Sequence, residues 1–204
     1  MTASKQHQER NRKSGNYTKL PLDFNELMSF IKTIDNPEHK LMVAIGTCAA
    51  MRVGEIIGLQ RRDIGRDSIT IRKTKCRTDK KTGYKKDQYE TQPMPKWLQE
   101  MCESILPLLH LKPNDHVFRY RGNQLTTGGA NKRLRMIFEG VDVGDQTITF
   151  HTLRKTAAVH MNSSSPDGLL YAQQLLRHKS IGTTVIYVKK GRADFEKSFQ
   201  QAFG

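Results

Sequence analysis

Apolar residues begin to recur at helical spacing near position 24. Phe24, Leu27, Met28 and Ile31 share one face, and Asp23 followed by Glu26 has the spacing of a helix start. Asn36-Pro37 opens a second helix, since proline is tolerated at the first helical position, and Leu41, Met42, Ile45 and Cys48 mark its apolar face. A short helix is expected from about Val53 to Leu59. The period then changes. Ser68-Ile69-Thr70-Ile71-Arg72 alternates as a strand does, and Tyr89 to Met94 can return antiparallel to it, with Pro93 suited to an edge or a strand end. Pro95 opens another helix, whose apolar residues are Trp97, Leu98, Met101, Cys102, Ile105 and Leu106. Val117-Phe118 is a short apolar piece. Asn131 to Phe138 and His151 to Met161 read as helices, and Ser165-Pro166 begins one more. Phe195, Phe199 and Phe203, each four residues from the next, share a face of a last short helix. The fold class predicted is mainly α with a small antiparallel β-sheet.

Residues 1–19 have no apolar period and are polar and basic, so they read as a flexible tail, with residues 20–204 as the folded domain. A chain of 204 residues suits one such domain and is long enough to bury a core. Its formal net charge of +14 points to a polyanionic partner, most often nucleic acid. Much of that charge lies between the two strands. Arg72, Lys73, Lys75, Arg77, Lys80, Lys81, Lys85 and Lys86 enclose Asp79 as their only acid, and Gly83 supplies a turn position. A long basic hairpin that neutralises phosphates is the natural reading of this run.

Other chemistries lack their signatures. Cys48, Cys76 and Cys102 are odd in number, far apart and without a C-x-x-C, so neither a disulfide framework nor a zinc ribbon is indicated. No H-E-x-x-H, carboxylate cluster or phosphate loop occurs, and no metal or cofactor is expected. No apolar run approaches the roughly 20 residues of a membrane span, and the start lacks the apolar stretch of a signal peptide. A cytoplasmic setting is expected.

Five residues in order carry the chemistry: Arg52, His151, Arg154, His178 and Tyr187. Attack by an oxyanion on a phosphodiester piles negative charge on the phosphorus oxygens, and donors already aimed at them lower the barrier. Arg52 and Arg154 suit that task because a guanidinium is a planar, permanently charged fork. His151 lies three residues before Arg154 on one helix face and titrates near neutrality, so it can accept the nucleophile's proton. His178 can bond the phosphate. Tyr187 is the proposed nucleophile; with a phenol pKa of about 10 it needs a base or an electropositive pocket. A phosphotyrosyl link keeps the energy of the broken bond, so rejoining needs no ATP. The leaving 5′ oxygen needs a proton, which a lysine of the hairpin can give: Lys75 first, Lys81 in reserve.

These blocks resemble the catalytic domain of the tyrosine recombinase family, of the phage-integrase type, over roughly residues 18 to 204. Arg52-Val53-Gly54-Glu55 with Leu59 and Ile64 is similar to the family's first block, and His151-Thr152-Leu153-Arg154 to the second. His178 and Tyr187, nine positions apart, with Thr184 three before the tyrosine, match the third. The resemblance implies that Arg52, His151, Arg154 and His178 surround the scissile phosphate. It also implies that Tyr187 forms a 3′-phosphotyrosyl intermediate and that Lys75 is the general acid. Glu55 would orient the Arg52 region. The segment after Tyr187 is similar to the family's exchanged C-terminal helix, with Phe195, Phe199 and Phe203 as anchors on a neighbouring protomer; packing within the chain is the alternative.

By the same resemblance the partners are double-stranded DNA and further copies of the chain, as a tetrameric synapse, in a bacterial, phage or plasmid setting. An accessory DNA-bending protein is a further candidate. The chain departs from the family in two places. Arg177 stands where a glycine usually precedes the third-block histidine, which alters the turn or adds a phosphate contact to those of the hairpin. About 19 residues precede the domain where members usually carry a separate DNA clamp. In this the chain resembles the short fimbrial phase-switch recombinases, or a catalytic fragment. The function expected is site-specific recombination: integration, excision or inversion. Type IB topoisomerase-like relaxation, or a catalytically silent DNA-binding regulator, are the alternatives. Thr183-Thr184 before Tyr187 and the exchange helix favour recombination.

Overall fold

The computed structural model describes residues 21–72, 89–143 and 146–185. Within them the fold is mainly helical with small antiparallel sheets, as the periodicity predicts. Helix α1 (Phe24–Thr33) starts where Asp23 accepts a hydrogen bond from the N–H of Glu26, and it buries Leu27 and Ile31. Helix α2 (Pro37–Cys48) starts with Asn36 accepting from the N–H of His39 and with Pro37 in the first turn. Helix α3 (Val53–Gly58) follows after a short link. Strand β1 (Ser68–Arg72) pairs antiparallel with β2 (Tyr89–Pro93), in a register that sets Ser68 opposite Pro93 and Arg72 opposite Tyr89. Pro93 thus closes its strand, where no ladder donor is needed. Helix α4 (Lys96–Ile105) begins after Pro95 and tightens into a 3-10 turn over Leu106–Leu109.

A second hairpin, β3 (Arg119–Tyr120) with β4 (Asn123–Gln124), was not expected from the pattern. Two positive-φ residues, Arg121 and Gly122, make its tight turn. Val117 and Phe118, just before it, are the buried anchor, and Val117 N–H donates to Leu59 O at 2.8 Å. Helix α5 (Thr127–Ile137) starts four residues before the expected Asn131. Thr126 accepts from the N–H of Gly129, and this cap offsets the poor helix propensity of Gly128-Gly129. Helix α6 (Phe150–Ser163) is capped by Thr149, α7 (Gly168–Leu176) begins two residues after Pro166, and α8 (Ile181–Val185) was not expected.

Helix α2 departs from its expected single apolar stripe, because Leu41 through Thr47 are all buried. Helices α1, α4, α5 and α6 pack around it and leave it no solvent side. Gly46 lets α6 approach closely: a Cβ there would stand 3.2 Å from the Phe150 ring. The main core spreads from this helix through Ile31, Ile69, Leu98, Phe118, Leu134 and Phe150. A second, smaller cluster lies between α6 and α7: Ala50, Ala157, Ala158, Ala172, Leu175 and Leu176. No described helix is long and apolar enough to cross a membrane. The basic hairpin beyond Arg72, the tail at 1–19 and the Phe195–Phe199–Phe203 helix lie outside the described residues.

Candidate active site

Arg52 is the N-cap of α3. Its backbone N–H donates to Glu55 Oε2 at 2.8 Å and its Nη1 donates to Glu55 Oε1 at 2.8 Å. Half of the Arg52 side chain is exposed, while that of Glu55 is buried. The carboxylate at the third helical position therefore closes the helix start and aims the guanidinium outward. Burial raises the Glu55 pKa, but the charge of Arg177 and the bonds from Arg52 outweigh it, so the carboxyl stays below its ordinary value.

Helix α6 carries the second block. Thr149 and Thr152 exchange hydrogen bonds between side chain and backbone, which fixes the helix start. His151 stands exposed in the first turn, and Arg154, one turn further along the same face, is 2% exposed. The guanidinium of Arg154 donates to Ala50 O and Leu176 O, tying the link before Arg52 to the end of α7. Its neighbour Lys155 is also buried, and desolvation pulls its pKa below the usual lysine value.

The third block follows α7. Arg177 ends that helix in the left-handed region at φ 54°, and His178 comes next. The backbone of His178 is bracketed by Gln173: His178 N–H donates to Gln173 O and Gln173 Nε2 donates to His178 O, both at 3.1 Å. On the ring, Nδ1 is 3.1 Å from Oγ1 of Thr184, a fully buried residue of α8. The His178 pKa is lowered to about 4. Burial is the largest cause, followed by the charges of Arg154, Arg52, Arg177 and His151. Residues from three distant segments thus converge on one imidazole, which is neutral at pH 7. The cationic donors gathered around this imidazole make a place for an oxyanion. A bound phosphate would in turn raise the His178 pKa.

The structure brings Arg52, His151, Arg154 and His178 together, whereas Tyr187 and Lys75 lie outside the described residues. So do Lys73, Arg77, Lys80, Lys81, Lys85 and Lys86. Arg72 is exposed at the end of β1, with its guanidinium 5.5 Å from the centre of the Tyr89 ring. Arg177 departs from its expected place against DNA. Its side chain is 5% exposed and turned inward onto Glu55. Its charge is paired there with a buried carboxylate and is not turned to solvent. What the sequence reading missed was this partnership. Its one signal was an arginine at a position that favours glycine.

The fold and this constellation define a tyrosine recombinase catalytic domain. The family model described as Phage integrase family matches residues 21–193, and the chain belongs to that family. Solved structures agree in fold. The crystal structure of XerA recombinase is similar at TM-score 0.72 and 21% identity, covering 91% of this chain and 65% of that one. XerH site-specific recombinase, in a post-cleavage complex with its palindromic difH substrate, is similar at TM-score 0.66 and 22% identity, covering 92% and 54%. A lambda integrase dimer bound to a COC′ core site gives TM-score 0.60 and 17% identity, covering 82% and 47%. The chain thus spans between about half and two thirds of the length of these relatives. None of the curated proteins compared with it matches.

Proposed function

We propose that this chain is the catalytic part of a site-specific DNA recombinase that cuts and rejoins strands through a 3′-phosphotyrosyl intermediate. The observation that carries the reading is the convergence of Arg52, His151, Arg154 and His178 from three segments of the chain. In this mechanism Arg52 and Arg154 hold the nonbridging oxygens of the scissile phosphate, and neutral His178 donates a further hydrogen bond to them. Tyr187 Oη attacks phosphorus as His151 takes its proton. The bond from phosphorus to the 5′ oxygen breaks, and Lys75 protonates the leaving oxygen. Reversal by a 5′ hydroxyl rejoins the strand without ATP.

Double-stranded DNA is the partner, engaged further by the basic segment from Arg72 to Lys86, and copies of the chain assemble on it. The similarity to XerH, bound to its difH substrate after cleavage, supports DNA as the substrate class. Topoisomerase-like relaxation is the second reading, favoured by the same phosphate-binding constellation. It is separated by assaying supercoil relaxation beside two-site recombination.

The test uses a pool of nicked duplexes with a randomised core, on which a cleaved strand cannot be religated. Wild type should yield a covalent protein–DNA adduct and Tyr187→Phe none. Lys75→Ala should slow adduct formation, and a 5′-thiol leaving group, which needs no proton, should restore most of the rate. An adduct from Tyr187→Phe, or none from wild type, contradicts the proposal. Absence of thiol rescue moves the acid away from Lys75, to Lys81 or elsewhere.

A further inference from the structure

We infer that Arg177 is a positioning residue, which locks the turn bearing His178 to the helix start bearing Arg52 by clamping Glu55 between them. The inference rests on the recombinase reading above.

The backbone at Arg177 sits at φ 54°, a conformation that favours glycine. Here the strain is offset by hydrogen bonds from both Nη atoms. Nη1 donates to Ala49 O at 2.9 Å and to Leu175 O at 3.0 Å. Nη2 donates to Ala50 O at 3.1 Å and to Glu55 Oε2 at 2.7 Å. Glu90 of β2 lies 3.8 Å from Nε. One side chain therefore joins the link between α2 and α3, the start of α3, the end of α7 and strand β2.

Glu55 divides its two oxygens accordingly. Oε1 takes Arg52 Nη1, while Oε2 takes both the Arg52 backbone N–H and Arg177 Nη2. With the second oxygen pinned from below, the carboxylate has one orientation left, and that orientation sets where Arg52 points. Arg177 is also bonded through the chain to His178. A single residue thus sets the spacing between a phosphate-holding arginine and a phosphate-bonding histidine. The Arg177 charge is paired with Glu55 where both side chains are buried, at 5% and 3% exposure, so Arg177 acts through its neighbours and not on DNA. Lysine is a poor substitute: it keeps the charge on Glu55 but lacks the planar fork that reaches several acceptors at once.

The test compares wild type, Arg177→Gly and Arg177→Lys on the randomised nicked-duplex pool. Single-turnover adduct formation is measured beside binding at several salt concentrations, with a thermal melt to establish that each variant is folded at the assay temperature. Arg177→Gly should cleave on the order of 100-fold more slowly, the scale of a small misplacement of reacting groups, with its affinity for the pool unchanged. Arg177→Lys should recover part of the rate. A folded Arg177→Gly that cleaves at the wild-type rate overturns the inference. So does weaker binding with a salt slope reduced by about one, which would make Arg177 a phosphate ligand. If Arg177→Gly does not fold, the lysine variant decides: slower cleavage with unchanged binding supports the inference, and a wild-type rate overturns it. No adduct from wild type is a different result, since it removes the recombinase reading itself.

Discussion

The main core and the joint beneath the candidate site are built on opposite principles. The core around α2 is made of large aliphatic and aromatic side chains that exclude water, with Leu41, Met42, Val43, Ala44 and Ile45 fully buried. The joint has little apolar bulk: its hydrophobic cluster consists of alanines and two leucines. Beside that cluster it buries charge, with Glu55, Arg154 and the Arg177 side chain bonded to one another's segments and to the carbonyls of Ala49, Ala50, Leu175 and Leu176. Hydrophobic packing is nondirectional and tolerates small shifts. Buried guanidinium bonds are directional and costly to leave unmade. The core therefore carries stability, and the joint spends some of it on alignment of Arg52, Arg154 and His178.

The largest effect expected from breaking this division is at Glu55. Glu55→Gln leaves the buried Arg177 charge without its counterion and should destabilise the fold by about 3–5 kcal/mol, read by denaturant melts. Removing both charges, as Arg177→Gly with Glu55→Gln, should recover most of that loss while cleavage stays slow. A silent single variant would show that the pair is not buried as described. In the core, Leu41→Ala should cost about 2–5 kcal/mol through lost burial and a cavity, yet leave the cleavage rate of the folded fraction near wild type. A rate loss beyond the unfolded fraction would join the two regions that are here held apart.

A smaller effect is expected where α6 turns into α7. A Cβ on Gly168 would stand 2.2 Å from Asn162 O, so Gly168→Ala must push the two helices apart. The expected cost is about 1–3 kcal/mol, with slower cleavage, since these helices carry Arg154 and lead to His178. The smallest effect is in pH. The folded His178 pKa of about 4 lies below the ordinary 6.5, so between these values the unfolded chain binds a proton that the folded chain does not. Stability should fall as pH drops through that window, and His178→Gln should flatten the decline relative to wild type. As pH falls below the ordinary carboxylate value, protonation of Glu55, whose folded pKa is depressed, should remove further stability.

Legibility in the sequence followed the same division. Helices α1, α2 and α4 and the pairing of β1 with β2 were readable, because apolar periodicity and capping residues are local signals. The turn at Arg121-Gly122 and the early start of α5 were missed, since a strand of two residues has no period and Gly128-Gly129 argues against helix until Thr126 caps it. Residue type and order picked out Arg52, His151, Arg154 and His178, which the structure brings near one another. The inward turn of Arg177 was not, because an arginine's direction depends on acceptors far away in sequence, here Ala49, Ala50 and Glu55. The buried setting of Lys155 was hidden for the same reason.

The central claim is that this gathering of cationic donors serves a tyrosine nucleophile. It is tested most directly by digesting the wild-type adduct with protease and mapping the DNA-linked peptide by mass spectrometry. The nucleotide remnant is expected on Tyr187, attached through a 3′-phosphate. Attachment at another residue, or at a 5′-phosphate, would contradict it.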